Sequence, residues 1–179
     1  MWVALAEGAV IEPLRRDPRV QLDPHVLHAA FPSQPAAAAL LAAIYREYLE
    51  IAREFALPMV CFTPTWRANA ERAERAGMAL GPLNAAAVAF LREICAGYPD
   101  VETGGLLGCR GDAYRPQEAL TRAEAARFHA AQAAALAAAA PDFLFAATLP
   151  AAGEALGMAE AMACTGLPYL LSFIIGRDG

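Results

Sequence analysis

Charge is scarce in this sequence. Acidic and basic side chains make up 18% of its 179 residues, and the net charge at neutral pH is −5. No basic run occurs; the densest cationic stretch is Arg15-Arg16, with Arg19 close by. Nucleic-acid binding needs clustered cations to displace phosphate counterions, so that partner is disfavoured. Cysteine is also sparse: Cys61, Cys95, Cys109 and Cys164, with no CxxC pair. A chain of this length does not need disulfide staples, so reduced thiols are expected. The histidines are His25, His28 and His129 alone, without HExxH or other metal-binding spacing. A loop or surface role is expected for His25 and His28, and the polar edge of a helix for His129 and Gln132. No GxGxxG follows the first apolar run, which removes the commonest dinucleotide signature. The N-terminus has no basic segment, and Glu7 interrupts its apolar run early, so no signal peptide is expected. The alanine-rich stretch near 130–149 contains Gln132, Pro141 and Asp142, and no membrane span is expected there. A mildly acidic chain of this kind suits the cytoplasm.

Hydrophobic residues are abundant, at 58%, and much of the excess is alanine, which favours helix because it loses no side-chain entropy. Short β-rich runs alternate with helical patterns. Strands are expected at Trp2–Ala6, Met59–Thr63, Val101–Leu107, Phe143–Ala147 and Tyr169–Ile175. The glycines of the third weaken it. Residues 12–35 read as a long proline-punctuated loop with short helical turns. A helix over 37–55 would bury Leu40, Ile44, Tyr48, Ile51 and Phe55, which share one face. A charged helical piece over 68–76 stops at Gly77. Asn84 is expected to cap the next helix, whose apolar stripe is Val88, Leu91, Ile94, Cys95 and Tyr98. Thr121-Arg-Ala-Glu124 is a capping-box pattern opening a helix to about Ala140. A last helix covers 152–164. Repeated βα units imply an α/β fold with a parallel sheet. Both an open doubly wound sheet and part of a barrel fit this order.

In either architecture, chemistry gathers at the C-terminal strand ends. Glu7-Gly8 sets a carboxylate beside a residue without a side chain. A ligand could approach the Gly8 backbone while Glu7 meets an ammonium group; the plainer alternative is a turn glycine with a structural acid. Thr63-Pro64-Thr65-Trp66-Arg67-Ala68-Asn69 can line a polar pocket with one apolar wall, or simply turn the chain into a helix begun by Asn69. Gly104 to Asp112 superficially resembles a phosphate loop but lacks the Gly-Lys-Ser/Thr ending. Cys109 beside Arg110 could hold a lowered thiol pKa, although most such cysteines only pack. Thr148 and Ser172 end the fourth and fifth strands. Glu154 lies in the first turn of its helix, where the macrodipole alone would explain it.

Taken in order, these motifs resemble the homocysteine S-methyltransferase family. Glu7-Gly8-Ala9 with Leu14-Arg15-Arg16 resembles its opening, where an acid and a glycine close the first strand. Ile44-Tyr45-Arg46-Glu47-Tyr48-Leu49 is similar to its first long helix, and Thr63 to Asn69 to the threonine-rich end of its second strand. Tyr114 to Leu120, then Phe128-His129 and Gln132, resemble the segment after strand three. Thr148-Leu149-Pro150 with Glu154-Ala155 is similar to the end of strand four and its helix, and Leu167-Pro168-Tyr169 with Ser172-Phe173 to strand five. The resemblance implies a (β/α)8 TIM-type barrel, here an incomplete one of about five parallel strands with outer helices. Residues 1–179 would be the N-terminal portion of a single barrel domain.

The resemblance also implies chemistry. Family members move a methyl group from a small donor such as S-methylmethionine or betaine to the homocysteine thiol. A zinc held by three cysteines binds that thiol as thiolate. The first zinc cysteine follows the family's strand six and a pair follows strand eight; the four cysteines here match none of them. The expectation is no zinc in this chain, zinc only in a complete family member, and no methyl transfer by the chain alone. The family's first strand often ends in Asp-Gly, here Glu7-Gly8. Its fourth often ends in Glu-Thr, with the acid near the substrate's ammonium group, and here the pair is Ala147-Thr148.

Glu7, Gly8, Thr63, Thr65, Cys109, Arg110, Thr148 and Ser172 are expected to converge on one end of the strands as substrate-binding residues. The partners implied are a small methyl donor and a thiol acceptor, with no nucleic acid and no membrane, and self-association through open sheet edges. Two alternatives stand beside this reading: a non-catalytic half-barrel that binds a small molecule or a protein, and a different barrel enzyme without zinc.

Overall fold

The structure, a computed structural model, describes residues 3–176. Five strands alternate with helices: β1 (Leu5–Ala6), β2 (Met59–Phe62), β3 (Val101–Gly108), β4 (Phe143–Leu149) and β5 (Tyr169–Phe173). The helices are α1 (Ile11–Arg16), α2 (Pro35–Glu54), α3 (Ala70–Arg75), α4 (Leu80–Cys95), α5 (Arg122–Ala138) and α6 (Ala152–Ala163). Every neighbouring pair is parallel, in the order β1-β2-β3-β4-β5. Consecutive order without a reversal rules out the doubly wound alternative, whose strand order turns at a switch point. The sheet curls into a half-barrel with the helices around it.

The helices fill the outside of the sheet with two cores. One joins Leu41, Tyr45 and Leu49 of α2 to Met59 and Cys61 of β2 and Leu91 of α4. The other joins Leu107, Leu144 and Leu149 of β3 and β4 to Leu136 of α5 and Met158 and Met162 of α6. In β2 the buried residues alternate with half-buried ones. The sheet is therefore sealed on its helical face and partly open on its concave face. The third strand forms despite its glycines because they make room. A Cβ on Gly104 would lie 2.7 Å from Phe62 and 2.8 Å from Phe143, whose rings meet edge to face at 5.9 Å.

Local signals held at several ends. Thr121 and Glu124 form the reciprocal capping box at α5. Asn69 caps α3 by accepting the Arg72 N–H at 3.0 Å. Gly77 adopts a left-handed φ of 68° after it.

Three expectations fail, and a fourth lies partly outside the described residues. Trp2 is not among the described residues; of the rest of the expected first strand, Leu5–Ala6 is strand. Strand five stops at Phe173, short of Ile175. Asn84 is no cap: it lies inside α4, fully buried, and donates to the Leu80 and Ala68 carbonyls at 2.9 and 3.2 Å. The buried face of α2 is turned from the one expected. It buries Leu41, Ala42, Tyr45, Leu49 and Ala52, while Ile51 and Phe55 are exposed. Two adjacent apolar rows run along this helix. The row carrying Tyr45 wins through tertiary contacts: Leu41 and Leu49 are fully buried in the core, and the Tyr45 hydroxyl reaches the Phe62 carbonyl at 2.6 Å.

Candidate functional site

The C-terminal strand ends border a cavity of about 470 Å³. Its apolar walls are Val10, Phe62, Trp66, Leu106, Phe145 and Ile174. Phe62 and Phe145 stack with their ring centres 4.5 Å apart. Glu7, Gly8, Thr63, Thr148 and Ser172 supply polar lining, as do Glu12, Arg15, His28, Tyr45 and Tyr114. Five of the eight residues singled out in the sequence thus share one cavity, and three do not.

Glu7 follows β1 directly. Its Oε1 accepts the Phe62 backbone N–H at 2.7 Å, while Oε2 is buried without a partner. Burial pushes its pKa from 4.5 up to about 8, against the opposing pull of that hydrogen bond. A carboxyl in this state is neutral at physiological pH and ionises if a cation joins it. Gly8 packs beneath Tyr48, whose hydroxyl would lie 2.8 Å from a Cβ added there. Glu12, the other carboxylate named in the lining, is paired with Arg15 at 2.9 Å.

Thr63 and Thr65 divide the work at the end of β2. Thr63 lines the cavity edge and its Oγ1 accepts the Leu106 N–H at 2.8 Å. Thr65 is fully buried, sharing a 2.6 Å bond with Thr63 and donating to the Leu106 carbonyl at 2.6 Å. It braces Thr63 from outside the cavity. Behind it, Gln132 donates to the Thr65 carbonyl at 2.9 Å and lies 3.4 Å from Asn84. Gln132 is therefore buried rather than at a polar helix edge.

At the end of β4, Thr148 holds a left-handed φ of 54°, where a β-branched residue is strained. The register with β5 slips between Ala146 and Leu149, so Thr148 sits in an irregularity at the cavity rim. Its N–H donates to Ser172 Oγ at 3.1 Å, tying the two strand ends. Such strain clusters at functional sites.

Cys109 and Arg110 do not join the cavity. Cys109 is buried, and burial, with the Glu154 charge, pushes its thiol up to about 11. That overturns the idea of a thiolate favoured by Arg110. Arg110 points into a separate charged cleft with Glu71, Arg72 and Arg75, and its Nε reaches Glu71 at 3.1 Å. His28 lies in a turn, in keeping with the loop role expected of it, but it is buried rather than at the surface. Burial and the nearby Arg15 charge lower its pKa to about 4, and its Nδ1 has no partner.

Sequence reasoning missed Glu154. It is fully buried in the first turn of α6, not a solvated dipole partner. Its Oε1 accepts the Arg110 N–H at 2.8 Å and meets His129 Nε2 at 3.1 Å; its Oε2 accepts the Leu120 N–H at 3.3 Å. Burial pushes this carboxyl up, but His129 and the two amides outweigh it and hold the pKa below the ordinary value. His129, expected at a polar edge, is fully buried beside it. His129 and Glu154 each stood in a motif that resembles the family, but nothing in the sequence joined the two.

The residues do not fit a thiolate zinc centre. Among the described residues no three His, Cys, Asp or Glu side chains come together to hold a metal ion. Cys61, Cys95 and Cys109 are buried and Cys164 is exposed at the end of α6. A hydrogen bond with Cys95, together with burial, raises the Cys61 thiol well above its usual range.

Comparison with known proteins bears on the family and the fold. The profile of the homocysteine S-methyltransferase family matches residues 4–179. Two solved structures of the homocysteine methyltransferase MmuM from Escherichia coli share the fold. The metallated form superposes with a TM-score of 0.75 at 18% identity, and the oxidized form with 0.79 at 19%. Each comparison covers 96% of this chain and 62% of the enzyme. The chain thus spans less than two thirds of the length of those relatives. No curated protein sequence gives a match.

Proposed function

The chain belongs to the homocysteine S-methyltransferase family, and from that premise we propose that its strand-end cavity is a substrate site for methyl transfer to a thiol. The complete catalytic unit would move a methyl group from a small donor to a thiol such as homocysteine, giving methionine. These residues alone would bind without turning over. The observation that carries the reading is convergence: Glu7, Gly8, Thr63, Thr148 and Ser172 come from four separate strand ends and border one cavity. In barrels that end is where substrates bind.

Each residue then has a task. Phe62, Phe145 and Trp66 give an apolar wall that excludes water from a methyl group in transit. Ser172 and Thr148 fix one rim, and Thr63, braced by Thr65, fixes the opposite one. Glu7 is the cavity carboxylate left without a cation. It can receive the ammonium group of an amino-acid thiol by ionising, a role supported by the unpartnered Oε2. Zinc in this family activates the thiol, but the cysteines here do not form its site, so no step of this chain is routed through it. The four free cysteines and mildly acidic composition fit a reducing, cytoplasmic setting.

A second reading has one observation in its favour. Ala147 stands where the family often carries an acid, which leaves Glu7, the lining carboxylate without a cation, as the candidate for an ammonium contact. A non-catalytic half-barrel that binds a small molecule would tolerate that loss. Titration calorimetry with homocysteine separates the alternatives. On the first reading homocysteine binds, Glu7→Gln weakens it at least tenfold, and affinity rises as pH climbs through about 8, because Glu7 must ionise. Equal binding of homocysteine and its des-amino thiol at every pH would overturn the Glu7 assignment.

A further inference from the structure

We propose that Glu154 is a positioning residue: it holds both stems of the loop between β3 and α5 and so sets where Tyr114 stands at the cavity mouth. The inference rests on the reading of the cavity as a substrate site and adds the element that shapes its entrance.

The loop leaves β3 at Cys109 and re-enters helix at Arg122. Tyr114, midway along it, is 81% exposed yet lines the cavity together with Ala113. Its own backbone is held by a local turn, the Tyr114 N–H donating to Asp112 Oδ1 at 2.9 Å. Ala113, buried in the core with Leu107 and Leu149, pins the inner side of that turn to the strands; the exposed Tyr114 side of it is left to the rest of the loop, and so to its stems. Arg110 begins the loop and Leu120 ends it, and the backbone N–H groups of both donate to the one carboxylate of Glu154. Arg67 and Arg72 also grip the loop, at the Gly111 carbonyl (2.9 Å) and the Arg110 carbonyl (3.5 Å). Both grip the first stem; Glu154 reaches the two together.

The chemistry of Glu154 suits this task and little else. A carboxylate can act on a helix dipole from an exposed position, so that task alone does not require full burial. A buried one is costly unless its oxygens are satisfied. Here they are met by two loop amides and by His129, which α5 holds fully buried. The acid therefore locks the loop to α5 and α6, the helices behind β3 and β4. The loop's tip, and Tyr114 with it, hangs over the cavity from that lock. Substrates that differ in bulk at the mouth would be sorted by it.

Amide hydrogen exchange tests the lock without a ligand. Glu154→Gln keeps the shape and removes the charge. Exchange at Arg110, Tyr114 and Leu120 should quicken about tenfold or more beyond any global change, the loss expected for hydrogen bonds to a charged group. Met158→Ala, a cavity in the same helix at a fully buried position, serves as the matched control. It should lower the melting temperature at least as much while quickening loop exchange only in step with the whole molecule. Equal loop opening in both variants would mean that Glu154 merely stabilises α6, and the proposal would fail. Homocysteine titration gives the second arm. Glu154→Gln and Tyr114→Ala should shift its Kd in the same direction, and Met158→Ala should leave it unchanged. An open loop with unaltered affinity would overturn the role at the mouth. If the unmodified chain binds no homocysteine, the proposed function falls, and loop exchange still decides the lock.

Discussion

Replacing Glu7 by glutamine should stabilise the protein at pH 8 and fail to do so at pH 4.5. The carboxyl is pushed from 4.5 up to about 8 by burial, so the folded chain holds this proton more tightly than the unfolded one. Below 4.5 both states are protonated and the group costs nothing. Between 4.5 and 8 the unfolded chain has lost the proton and the folded chain keeps it, so stability drains away as pH rises. The slope is about 1.4 kcal/mol per pH unit for one group. Across that window the loss reaches a few kcal/mol, with about 5 as a ceiling. Glutamine cannot titrate. Its oxygen still accepts the Phe62 N–H, and its amide replaces the unpartnered Oε2 at a cost of about 1 kcal/mol. The two stability curves should therefore cross: the variant equal or slightly weaker at pH 4.5, and stronger by roughly 2–4 kcal/mol at pH 8. For a chain of this size that is a melting-temperature gain of about 4–16 °C. Urea unfolding followed by far-ultraviolet circular dichroism, repeated from pH 4.5 to 8.5, reads both curves. Other titrating groups act equally in both proteins and cancel in the difference. Parallel curves would refute the reasoning and place the Glu7 carboxyl in contact with water.

Three further outcomes follow from the same geometry. Gly108→Ala would put a Cβ 2.4 Å from Trp66 Cδ1 and 2.5 Å from its carbonyl; we expect a red-shifted tryptophan emission and a stability loss of about 1–3 kcal/mol, and unchanged emission would contradict the placement of that wall. His28 is buried with its pKa lowered to about 4, so it contributes stability that is lost as pH falls from 6.5 through 4; His28→Gln should flatten that part of the acid-unfolding curve, and an unaltered acid limb would show the imidazole to be solvated. Among the described strands β5 lies at an edge of the sheet and leaves Tyr169, Leu170 and Phe173 exposed, so a polypeptide of these residues should self-associate at micromolar concentration; light scattering that finds a stable monomer would show that edge to be harmless.

The strand order was legible because βα units repeat with little between them. Leu-Pro before Met59 and again before Tyr169 marks where helix yields to strand, and both strands begin there. Strand-end residues were legible for a related reason. A hydroxyl or acid directly after an apolar run has little choice of location, so Glu7, Thr63 and Thr148 could be assigned to one rim from order alone, whereas the same reasoning put Cys109 and Arg110 there and the cavity lining lacks them. The face of α2 was not legible. Leu40, Ile44 and Tyr48 make one apolar row and Leu41, Tyr45 and Leu49 another, and hydropathy alone weighs them alike. The choice falls to tertiary contacts: Leu41 and Leu49 are fully buried in the core, and the Tyr45 hydroxyl between them donates to a strand 17 residues away in sequence.

Buried polar groups show why the rest of the site escaped the sequence. Gln132, Asn84, His129 and Glu154 are polar types on helices, and such residues are mostly exposed. Each is fully buried here because a partner meets it from another element. Asn84 is met from α5 and from the turn after β2, and Glu154 from α5 and both stems of one loop. Partners 16 to 67 residues apart leave no local pattern. A consequence for the site follows from this arrangement. The cavity lining faces the ligand, but its positions are fixed from behind: Thr63 through Thr65, Thr65 through Gln132, and the loop of Tyr114 through Glu154. Residues at the rim would then tolerate change one at a time, with effects confined to binding. Residues behind it would not, because removing one partner leaves another buried polar group unpaired. A substitution such as Gln132→Leu should thus cost more in stability than Ser172→Ala, although serine touches the cavity and glutamine does not. Equal or reversed losses in urea unfolding would show the lining to be held by the strands alone.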